Sequence, residues 1–465
     1  MARILFIPCG LSESAAIALV WDYLKGDPVY SLKGIALDDR LEALFKKHNL
    51  PYQRFSEYKA KNAAAIIHKE NPDLVLAHAF SDVTRAFIFA ANALGIPTLF
   101  VNDGVTTVPP KYGNIWYSPR RLAPKRVIRW LKDKKRFNLF LDPLFTFRTL
   151  IAISSLPNAL KKMSREMEQR FPRVYPEGLH YAVAGQHAKE AYITMGVPAE
   201  KVFVTGQPRF DRLLNQKYQP DKIRTELNIP VGKGLFVLAT QPLYQGFWAE
   251  AEYCRLVEII VQAMSEFPQH QLVIKLHPSE DESYYQEILA AMGQQDKVIV
   301  CRDVDIYELL NTCDLLLTAH STVALEAMIL DKPVVTVNLS SKPDVMPYAR
   351  SGAALGVYRS EDLVPAISDS LSNPQVREEL TRKRKTFVYE HAYLTDGQAS
   401  RRVAELFVKL IEGRKRNTGD RLDPIPTARS KAPSSGKQVW PPAFASRCTA
   451  PPKPAITCSG RSLPS

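Results

Sequence analysis

The 465-residue sequence contains no long apolar run, and its six cysteines form no CxxC pair. A membrane-spanning helix needs about 20 predominantly apolar residues, and no window of the chain provides them. Closely paired cysteines are the usual signature of structural zinc sites and of redox motifs. The sequence therefore argues against a spanning helix and a structural metal, and it favours a reducing compartment.

The N-terminus also lacks the features of an export signal. Ile4 to Ile7 is apolar, but only Arg3 precedes it, and Glu13 interrupts what would be the apolar core of a signal peptide. This segment is better interpreted as a first strand. We therefore expect a cytoplasmic protein.

The positive charge is concentrated at one end of the chain. The net charge is +13, and the residues after Gly413 supply +8 of it, from ten Lys or Arg against two Asp. The remainder, about +5, is only mildly basic, and no nucleic-acid-binding motif with interleaved aromatic residues is present. We expect no nucleic-acid partner.

Short apolar segments alternate with amphipathic segments along most of the chain, which predicts an α/β fold. We expect two doubly wound, Rossmann-like domains that face a cleft, over residues 1–225 and 226–413, the second closing with C-terminal helices. Residues 414–465 hold nine of the 34 prolines and no apolar periodicity. That composition predicts a disordered, basic tail.

Residues 111–175 interrupt this alternation with basic residues and aromatic residues. The segment 119–147 within it could lie on an anionic membrane surface. The alternative is a solvated helical excursion whose aromatic side chains pack on the sheet.

The stretch from Asp314 to Leu339 predicts a strand, a turn, a helix and a second strand. Backbone N–H groups at such a helix start attract phosphate, and Glu326, one turn later, can accept hydrogen bonds from ribose hydroxyls. The alternative is a capped amphipathic helix with one solvated glutamate. The predicted nucleotide-binding residues are His320, Ser321, Thr322 and Glu326.

Two further turns follow apolar strands of the second domain and are expected at the same edge of its sheet. Lys275 and His277 could stabilise negative charge on a departing phosphate. Alternatively, His277 only hydrogen-bonds to the backbone of its turn. The predicted binding residues of the two turns are Thr240, Gln241, Lys275, Pro278 and Ser279.

A general base is expected from the first domain, on the opposite side of the cleft. Asp103, in the sequence VNDGV at the end of a strand, is the best placed, and His78 and Glu13 follow it. An Asp-Gly pair also forms ordinary turns, so the alternative for Asp103 is purely structural.

The segment GQPRFD, from Gly206 to Asp211, is expected near the connection between the domains. Gly206 and Arg209 are candidate binding residues here. Arg209 could hold a phosphate or pair with Asp211. The pair Asp38-Asp39 is best explained as a helix cap with a first-turn acid, so no metal site is expected.

Several segments resemble known families. TAHSTVALEAMILDKPVV resembles the nucleotide-sugar motif of GT-B-fold glycosyltransferases, and AVAGQHAKEAYITMGVPAEKVFVTGQPRFD is similar to a segment of UDP-N-acetylglucosamine 2-epimerases and CDP-glycerol glycerophosphotransferases. KLHP is similar to a motif of the glycerophosphotransferases and capsule transferases. DGQASRRVAELF is similar to the closing helix of the epimerase-like group. The resemblance spans residues 180–410.

The resemblance implies roles for four residues. Ser321 and Thr322 would meet the diphosphate, Glu326 the ribose, and His277 the phosphate or leaving group. Two departures from the family patterns stand out. The epimerases carry Gly-Thr-Arg-Pro-Glu after their first strand, and the glycerophosphotransferases carry Asp-Tyr-Ser-Ser where this chain has Ala-His-Ser-Thr.

These observations predict a metal-independent glycosyltransferase that needs no cofactor. It would move a sugar from a nucleotide-activated donor to a glycan or lipid-linked acceptor in cell-surface polysaccharide synthesis. A membrane-embedded acceptor would place the protein at the inner face of the membrane through residues 119–147. The alternatives are a sugar-nucleotide 2-epimerase, a CDP-glycerol-type phosphotransferase that releases CMP, and a non-enzymatic nucleotide-binding scaffold.

Overall fold

The computed structural model describes residues 1–8, 11–60, 62–77, 82–102, 178–241, 250–340 and 342–418. These residues all belong to one compact unit, Met1–Asp420. The whole segment 111–175 and the predicted tail beyond Thr418 lie outside the described residues, as do the predictions made for them. Within the described ranges, no helix is both long enough and apolar enough to cross a membrane.

Strands and helices alternate through the first part of the chain, as predicted. The strands are β1 (Ala2–Ile7), β2 (Tyr30–Ala36), β3 (Tyr52–Arg54), β4 (Leu74–Ala77), β5 (Thr98–Val101), β6 (Leu179–Val183) and β7 (Val202–Val204). The helices described between them are α1 (Leu11–Trp21), α2 (Asp39–Lys47), α3 (Ala63–Glu70), α4 (Asp82–Ala93) and α5 (Gln186–Thr194). The strands form one parallel sheet in the order β3-β2-β1-β4-β5-β6-β7.

The first sheet is covered on both faces because its central strands are apolar throughout. In β1, Leu5 and Ile7 join one core, whereas Ile4 and Phe6 join the core on the opposite face. Successive side chains of a strand point to opposite faces. A strand apolar on both faces is typical of a doubly wound parallel sheet.

The second sheet has the same construction. Its strands are β8 (Gly234–Ala239), β9 (His270–Lys275), β10 (Val298–Cys301), β11 (Leu315–Thr318), β12 (Val334–Val337) and β13 (Leu355–Val357). They are parallel, in the order β10-β9-β8-β11-β12-β13. The remaining described helices are α6 (Pro208–Asn215), α7 (Pro220–Glu226), α8 (Glu250–Ala263), α9 (Glu282–Met292), α10 (Ile306–Thr312), α11 (Val323–Ile329), α12 (Leu363–Ser372), α13 (Pro374–Ala392) and α14 (Ala399–Thr418).

Helix α6 follows the last strand of the first sheet but packs in the core of the second. Its Phe210 and Leu213 lie in a buried cluster with Leu235, Val237 and other residues of the second sheet. The sequence predicted the connection between the domains near this point, without a helix. Pro208 occupies the first helical turn, where the missing N–H of proline costs no hydrogen bond, so it starts the helix instead of preventing it.

Helix α14 returns from the second half of the chain to the first sheet. Phe407 and Ile411 are buried in the same cluster as Ile4 and Phe6 of β1. The helix continues to Thr418, past the predicted tail boundary at residue 414, and the Arg414 guanidinium donates to the carbonyl of Pro72 at 2.7 Å. The two sheets are therefore joined by packing as well as by the chain.

Helices α5 and α13 also approach each other closely. A side chain at Gly185, just before α5, would meet the backbone of Glu390 and His391 in α13, so only glycine fits. The buried ring of His391 stacks on Phe387 with centroids 4.0 Å apart and lies 4.5 Å from the ring of His187 on α5. This contact is another join between the two halves.

Candidate functional site

The carboxyl ends of β9, β8 and β11 are neighbours in the second sheet, and the predicted turns meet there. The backbone N–H of His277 donates to Thr240 Oγ1 at 3.0 Å, which links the turns after β9 and β8. The backbone N–H of His320 donates to Gln241 Oε1 at 3.4 Å, which links the turns after β11 and β8. The structure thus brings together the turns that the sequence predicted separately.

The turn after β11 is held by side chains on both sides. Ser321 donates its backbone N–H to Thr318 Oγ1 at 3.2 Å, and its carbonyl accepts from the buried Tyr348 hydroxyl at 3.2 Å. Ser321 Oγ accepts the N–H of Val323 at 3.4 Å. Thr322 occupies the N-cap position without a side-chain cap bond, so the side-chain bond to the start of the helix comes from Ser321.

Glu326 is almost fully buried, with 1% of its surface exposed, and its carboxylate forms an ion pair with the guanidinium of Arg209. The solvated-glutamate alternative is therefore wrong. Arg209 is on α6 and Glu326 on α11, so the pair connects the hinge helix to the predicted nucleotide motif. An arginine and a carboxylate side by side can recognise both a phosphate and a sugar hydroxyl.

Asp211, the other predicted partner of Arg209, is engaged elsewhere. Its two carboxylate oxygens accept the backbone N–H groups of Ala399 at 2.9 Å and Ser400 at 2.6 Å. These N–H groups open α14 and have no partner within the helix. Asp211 therefore caps the last helix from a distant part of the chain.

The imidazole of His277 is fixed in one orientation by its own turn. Nδ1 accepts the backbone N–H of Ser279 at 3.2 Å and lies 2.7 Å from Ser279 Oγ. Because Nδ1 is an acceptor, the proton of the neutral ring is on Nε2. Desolvation of the ring lowers the pKa of His277, while the Glu280 carboxylate opposes this shift and Lys275 adds to it. The ring is thus a neutral N–H donor at neutral pH.

Lys275 and Pro278 contribute to the structure of the turn that follows β9. The buried Lys275 ammonium donates to the carbonyls of Leu276 at 3.0 Å and Arg302 at 2.7 Å. Burial lowers the pKa of Lys275. Pro278 is exposed between His277 and Ser279 and shapes their turn. Lys275 therefore supports the site by holding the ends of β9 and β10.

His320 is half-buried at the start of the motif turn. Desolvation lowers the pKa of His320 to about 4, so its ring is neutral at physiological pH. A neutral imidazole donates a hydrogen bond from one ring nitrogen and accepts one at the other. It can contact a ligand without adding charge.

Gly206 has a left-handed backbone, with φ at +77°, and a side chain there would crowd Ala399 and Arg402. Its position therefore depends on packing against α14. The predicted bases His78 and Asp103 lie outside the described residues, and so does the side chain of Glu13, whose backbone is in α1. In the part of the chain that the structure describes, no three His, Cys, Asp or Glu side chains form a metal-binding group.

Sequence patterns missed Glu280, whose buried carboxylate accepts hydrogen bonds from the Thr240 and Tyr285 hydroxyls and from the His277 backbone. Its position three residues after His277 was the available signal. An acidic side chain three residues into a turn can reach back to a free N–H group.

The family profile described as CDP-Glycerol:Poly(glycerophosphate) glycerophosphotransferase matches residues 156–409, more than half of the sequence. The chain belongs to this family. Members of this family are transferases, so the prediction of a transferase is confirmed. Comparison with curated protein sequences gives no match.

Solved structures of two enzyme types share the fold. The S. aureus MnaA–UDP complex is 15% identical, covers 89% of this chain and 98% of its own, and superposes with a TM-score of 0.56. The Neisseria meningitidis UDP-GlcNAc 2-epimerase bound to UDP-GlcNAc is 15% identical, with 88% and 100% coverage and a TM-score of 0.56. The wall teichoic acid polymerase TagF is 14% identical, with 89% and 90% coverage and a TM-score of 0.54.

These similarities confirm the predicted GT-B-like fold of two parallel α/β sheets with C-terminal helices. At such identities the epimerase structures inform only the fold. The family match instead favours the phosphotransferase, which the sequence analysis held as an alternative, over sugar transfer.

Proposed function

We propose that this protein transfers glycerol phosphate from CDP-glycerol to a hydroxyl group of a glycerophosphate-containing acceptor and releases CMP. The observation that carries the proposal is the family match over residues 156–409. This range contains the three turns of the candidate site together with Arg209 and Glu326. The transferred group is therefore glycerol phosphate, whereas a sugar was predicted from the sequence.

The reaction exchanges one P–O bond for another. The acceptor hydroxyl attacks the phosphorus atom that carries glycerol, and a new P–O bond forms. The P–O bond to the cytidine phosphate breaks, and its electron pair leaves with CMP. The hydroxyl proton passes to a general base. Positioning and electrostatic stabilisation provide most of the catalysis in such transfers.

His277 is proposed to donate its Nε2 proton to an oxygen of the diphosphate as charge develops on the leaving CMP. The acceptor role of Nδ1 toward Ser279 supports this assignment, since it leaves the Nε2 hydrogen available. A fixed donor of this kind is worth roughly 10²- to 10³-fold in rate.

Arg209 and Glu326 are proposed to bind the donor together. Glu326 would accept hydrogen bonds from the ribose, and Arg209, held beside it, would contact a phosphate oxygen. Ser321 and Thr322, one turn before Glu326, would meet the diphosphate. His320, Gln241, Thr240 and Ser279 complete the proposed donor site at the same sheet edge.

Asp103 is proposed as the general base for the acceptor hydroxyl, with His78 and Glu13 as the other candidates from the first domain. Replacing each with its amide or with alanine ranks them by loss of kcat.

The direct test is to incubate the purified protein with CDP-glycerol and a short glycerol phosphate oligomer, and to measure CMP and chain elongation. We expect elongation with CDP-glycerol, and a loss of about 100-fold in kcat for His277→Ala. His68→Ala, at an exposed position on α3, is the matched control. Release of UDP from UDP-sugars with transfer to an acceptor, and no reaction with CDP-glycerol, would restore the glycosyltransferase interpretation.

Donor binding can be tested without turnover. A nucleotide at 100 times its Kd stabilises the folded state by about 2.7 kcal/mol, which gives a measurable thermal shift. We expect CMP and CDP-glycerol to stabilise the wild type more than UDP or GDP, and Glu326→Ala to lose most of this shift. Conversion of UDP-GlcNAc to its 2-epimer in the absence of acceptor would support the epimerase instead.

A further inference from the structure

Glu280 lies at the centre of a buried polar network behind the His277 turn, with 9% of its surface exposed. Its Oε2 atom accepts hydrogen bonds from the Thr240 hydroxyl and from the backbone N–H of His277, the latter at 3.0 Å. Its Oε1 atom accepts the Tyr285 hydroxyl at 2.8 Å. One carboxylate therefore joins the turn after β8, the turn after β9 and helix α9.

The network extends one residue further into the core. The Tyr285 hydroxyl lies 3.3 Å from that of Tyr253, which in turn accepts the backbone N–H of Gln241 at 3.5 Å. Burial raises the pKa of both tyrosines, and the Glu280 charge raises it further, so both stay protonated. A buried carboxylate with several donors is stable, whereas the same group with a missing donor is costly.

The network also determines where the His277 ring lies. The Glu280 N–H donates to the His277 carbonyl at 2.9 Å while the Glu280 side chain accepts the His277 N–H, so both backbone groups of His277 are tied to one residue. Arg302 donates to the Glu280 carbonyl at 3.2 Å and anchors the turn from the side of β10. In the turn held this way, His277 Nδ1 accepts the backbone N–H of Ser279 at 3.2 Å.

We propose that Glu280 is a positioning residue that holds the His277 imidazole, through its backbone and its turn, in the orientation that donates Nε2–H to the diphosphate. This inference rests on the proposed function, because it assigns His277 a contact with the donor. Glu280 itself is buried behind the turn, so it is assigned no direct contact with the donor.

The pKa of His277 provides a second readout, because it depends on the charged groups that face the ring. Glu280 raises the pKa of His277, and Lys275 lowers it. Glu280→Gln keeps the shape of the side chain and an oxygen acceptor but removes the charge. We therefore expect the pKa of His277 to be lower in this variant than in the wild type.

The experiment compares wild type, Glu280→Gln, Glu280→Asp and the control Glu287→Gln, an exposed carboxylate on the same helix α9. Histidine-selective NMR, assigned with His277→Asn, reports the pKa and tautomer of His277. For Glu280→Gln we expect a lower pKa, a mixture of tautomers and a fall in kcat of about tenfold. The KM for CDP-glycerol should change by less than about threefold. Glu280→Asp should recover part of the wild-type pKa, and Glu287→Gln should match the wild type.

Tyr285→Phe is the second variant, in case Glu280→Gln does not fold. It removes one donor to Glu280 and keeps the charge, so we expect lower kcat and mixed tautomers with a nearly unchanged His277 pKa. A folded Glu280 variant with the wild-type pKa, tautomer and kcat would overturn the inference. If the wild type itself does not use CDP-glycerol, the proposed function fails, while the NMR result still decides whether Glu280 orients His277.

Discussion

The guanidinium of Arg209 and the carboxylate of Glu326 form an ion pair that joins helix α6 to helix α11. The Glu326 side chain is only 2% exposed, and that of Arg209 is 28% exposed. A ligand that donates hydrogen bonds to the Glu326 carboxylate must therefore share this carboxylate with Arg209 or displace the guanidinium. If the donor binds at Glu326 as proposed, its binding is coupled to the position of α6 through this pair.

Arg209→Met is expected to lower the free energy of unfolding by about 2 to 3 kcal/mol, because it leaves the Glu326 carboxylate buried and unpaired. Urea denaturation measures the change. The double variant Arg209→Met/Glu326→Gln should recover most of it, since no buried charge remains. Arg212, on the same helix as Arg209, forms a more exposed ion pair with Asp305. Arg212→Met should therefore lower the free energy of unfolding by less than about 1 kcal/mol. Equal losses for the two arginines would contradict this explanation.

Asp211→Ala should lower the free energy of unfolding by about 1 to 2 kcal/mol, because Ala399 and Ser400 lose the acceptor for their N–H groups. Asp211→Asn should cost less, since its amide oxygen still accepts one bond. Denaturant melts give the energies, and hydrogen exchange at the start of α14 localises the effect. The exposed Asp221 of α7 is the control site, where Asp221→Asn should have no effect. Unchanged exchange in Asp211→Ala would show that the cap is dispensable.

The free energy of unfolding should fall at acidic pH because the buried His391 becomes protonated more easily in the unfolded chain. Burial, with the neighbouring His187, lowers the pKa of His391 to about 4, whereas an unfolded histidine titrates near 6.5. Between these values the unfolded chain binds a proton that the folded chain does not. The contribution of His391 to the free energy of unfolding is therefore complete above about pH 6.5. It is lost as the pH drops toward 4, by a total on the order of 3 kcal/mol.

Denaturation at several pH values tests this. His391→Phe should flatten the slope between pH 6.5 and 4, and His320, whose pKa is also lowered to about 4, should account for part of the slope that remains. The exposed His68 provides the control, and His68→Gln should keep the wild-type slope. A His391→Phe profile parallel to the wild type would exclude His391 as the titrating group.

Lys275→Met separates a structural role from a binding role. The ammonium donates to two backbone carbonyls, so its loss should lower the free energy of unfolding by about 1 to 3 kcal/mol. The KM for CDP-glycerol should stay within about threefold of the wild type. The exposed Lys297 offers a matched Lys→Met control with little effect on either quantity. A large rise in KM with unchanged stability would instead place Lys275 on the donor phosphates.

The parallel sheets could be predicted closely because buried strands are short apolar runs with sharp ends. The stretch from Asp314 to Leu339 was predicted to hold a strand, a turn, a helix and a second strand, and it contains β11, α11 and β12 in that order. Helix α6 was missed because Gly206 and Gln207 precede it and Pro208 begins it, and glycine and proline are typical of connecting segments. The helix is stabilised by burial of Phe210 and Leu213 against the second sheet, a tertiary contact that local sequence does not encode.

The same distinction holds for the candidate site. The turns at Thr240, His277 and Ser321 were predictable, since the carboxyl ends of neighbouring parallel strands meet at one edge. The partners of Arg209 and Asp211 were not, because these bonds join residues on different elements whose approach no local period encodes. Of the bonds of Glu280, only the one from the His277 N–H is local in sequence.

The return of α14 to β1 has a consequence for synthesis in the cell. Ile4 and Phe6 emerge from the ribosome about 400 residues before their partners Phe407 and Ile411. At roughly 5 to 20 residues per second this delay is about 20 to 80 s. During that time one face of the first sheet lacks part of its apolar cover. The second sheet can therefore complete its core first, and the half of the protein that is translated earlier is the half that finishes folding last.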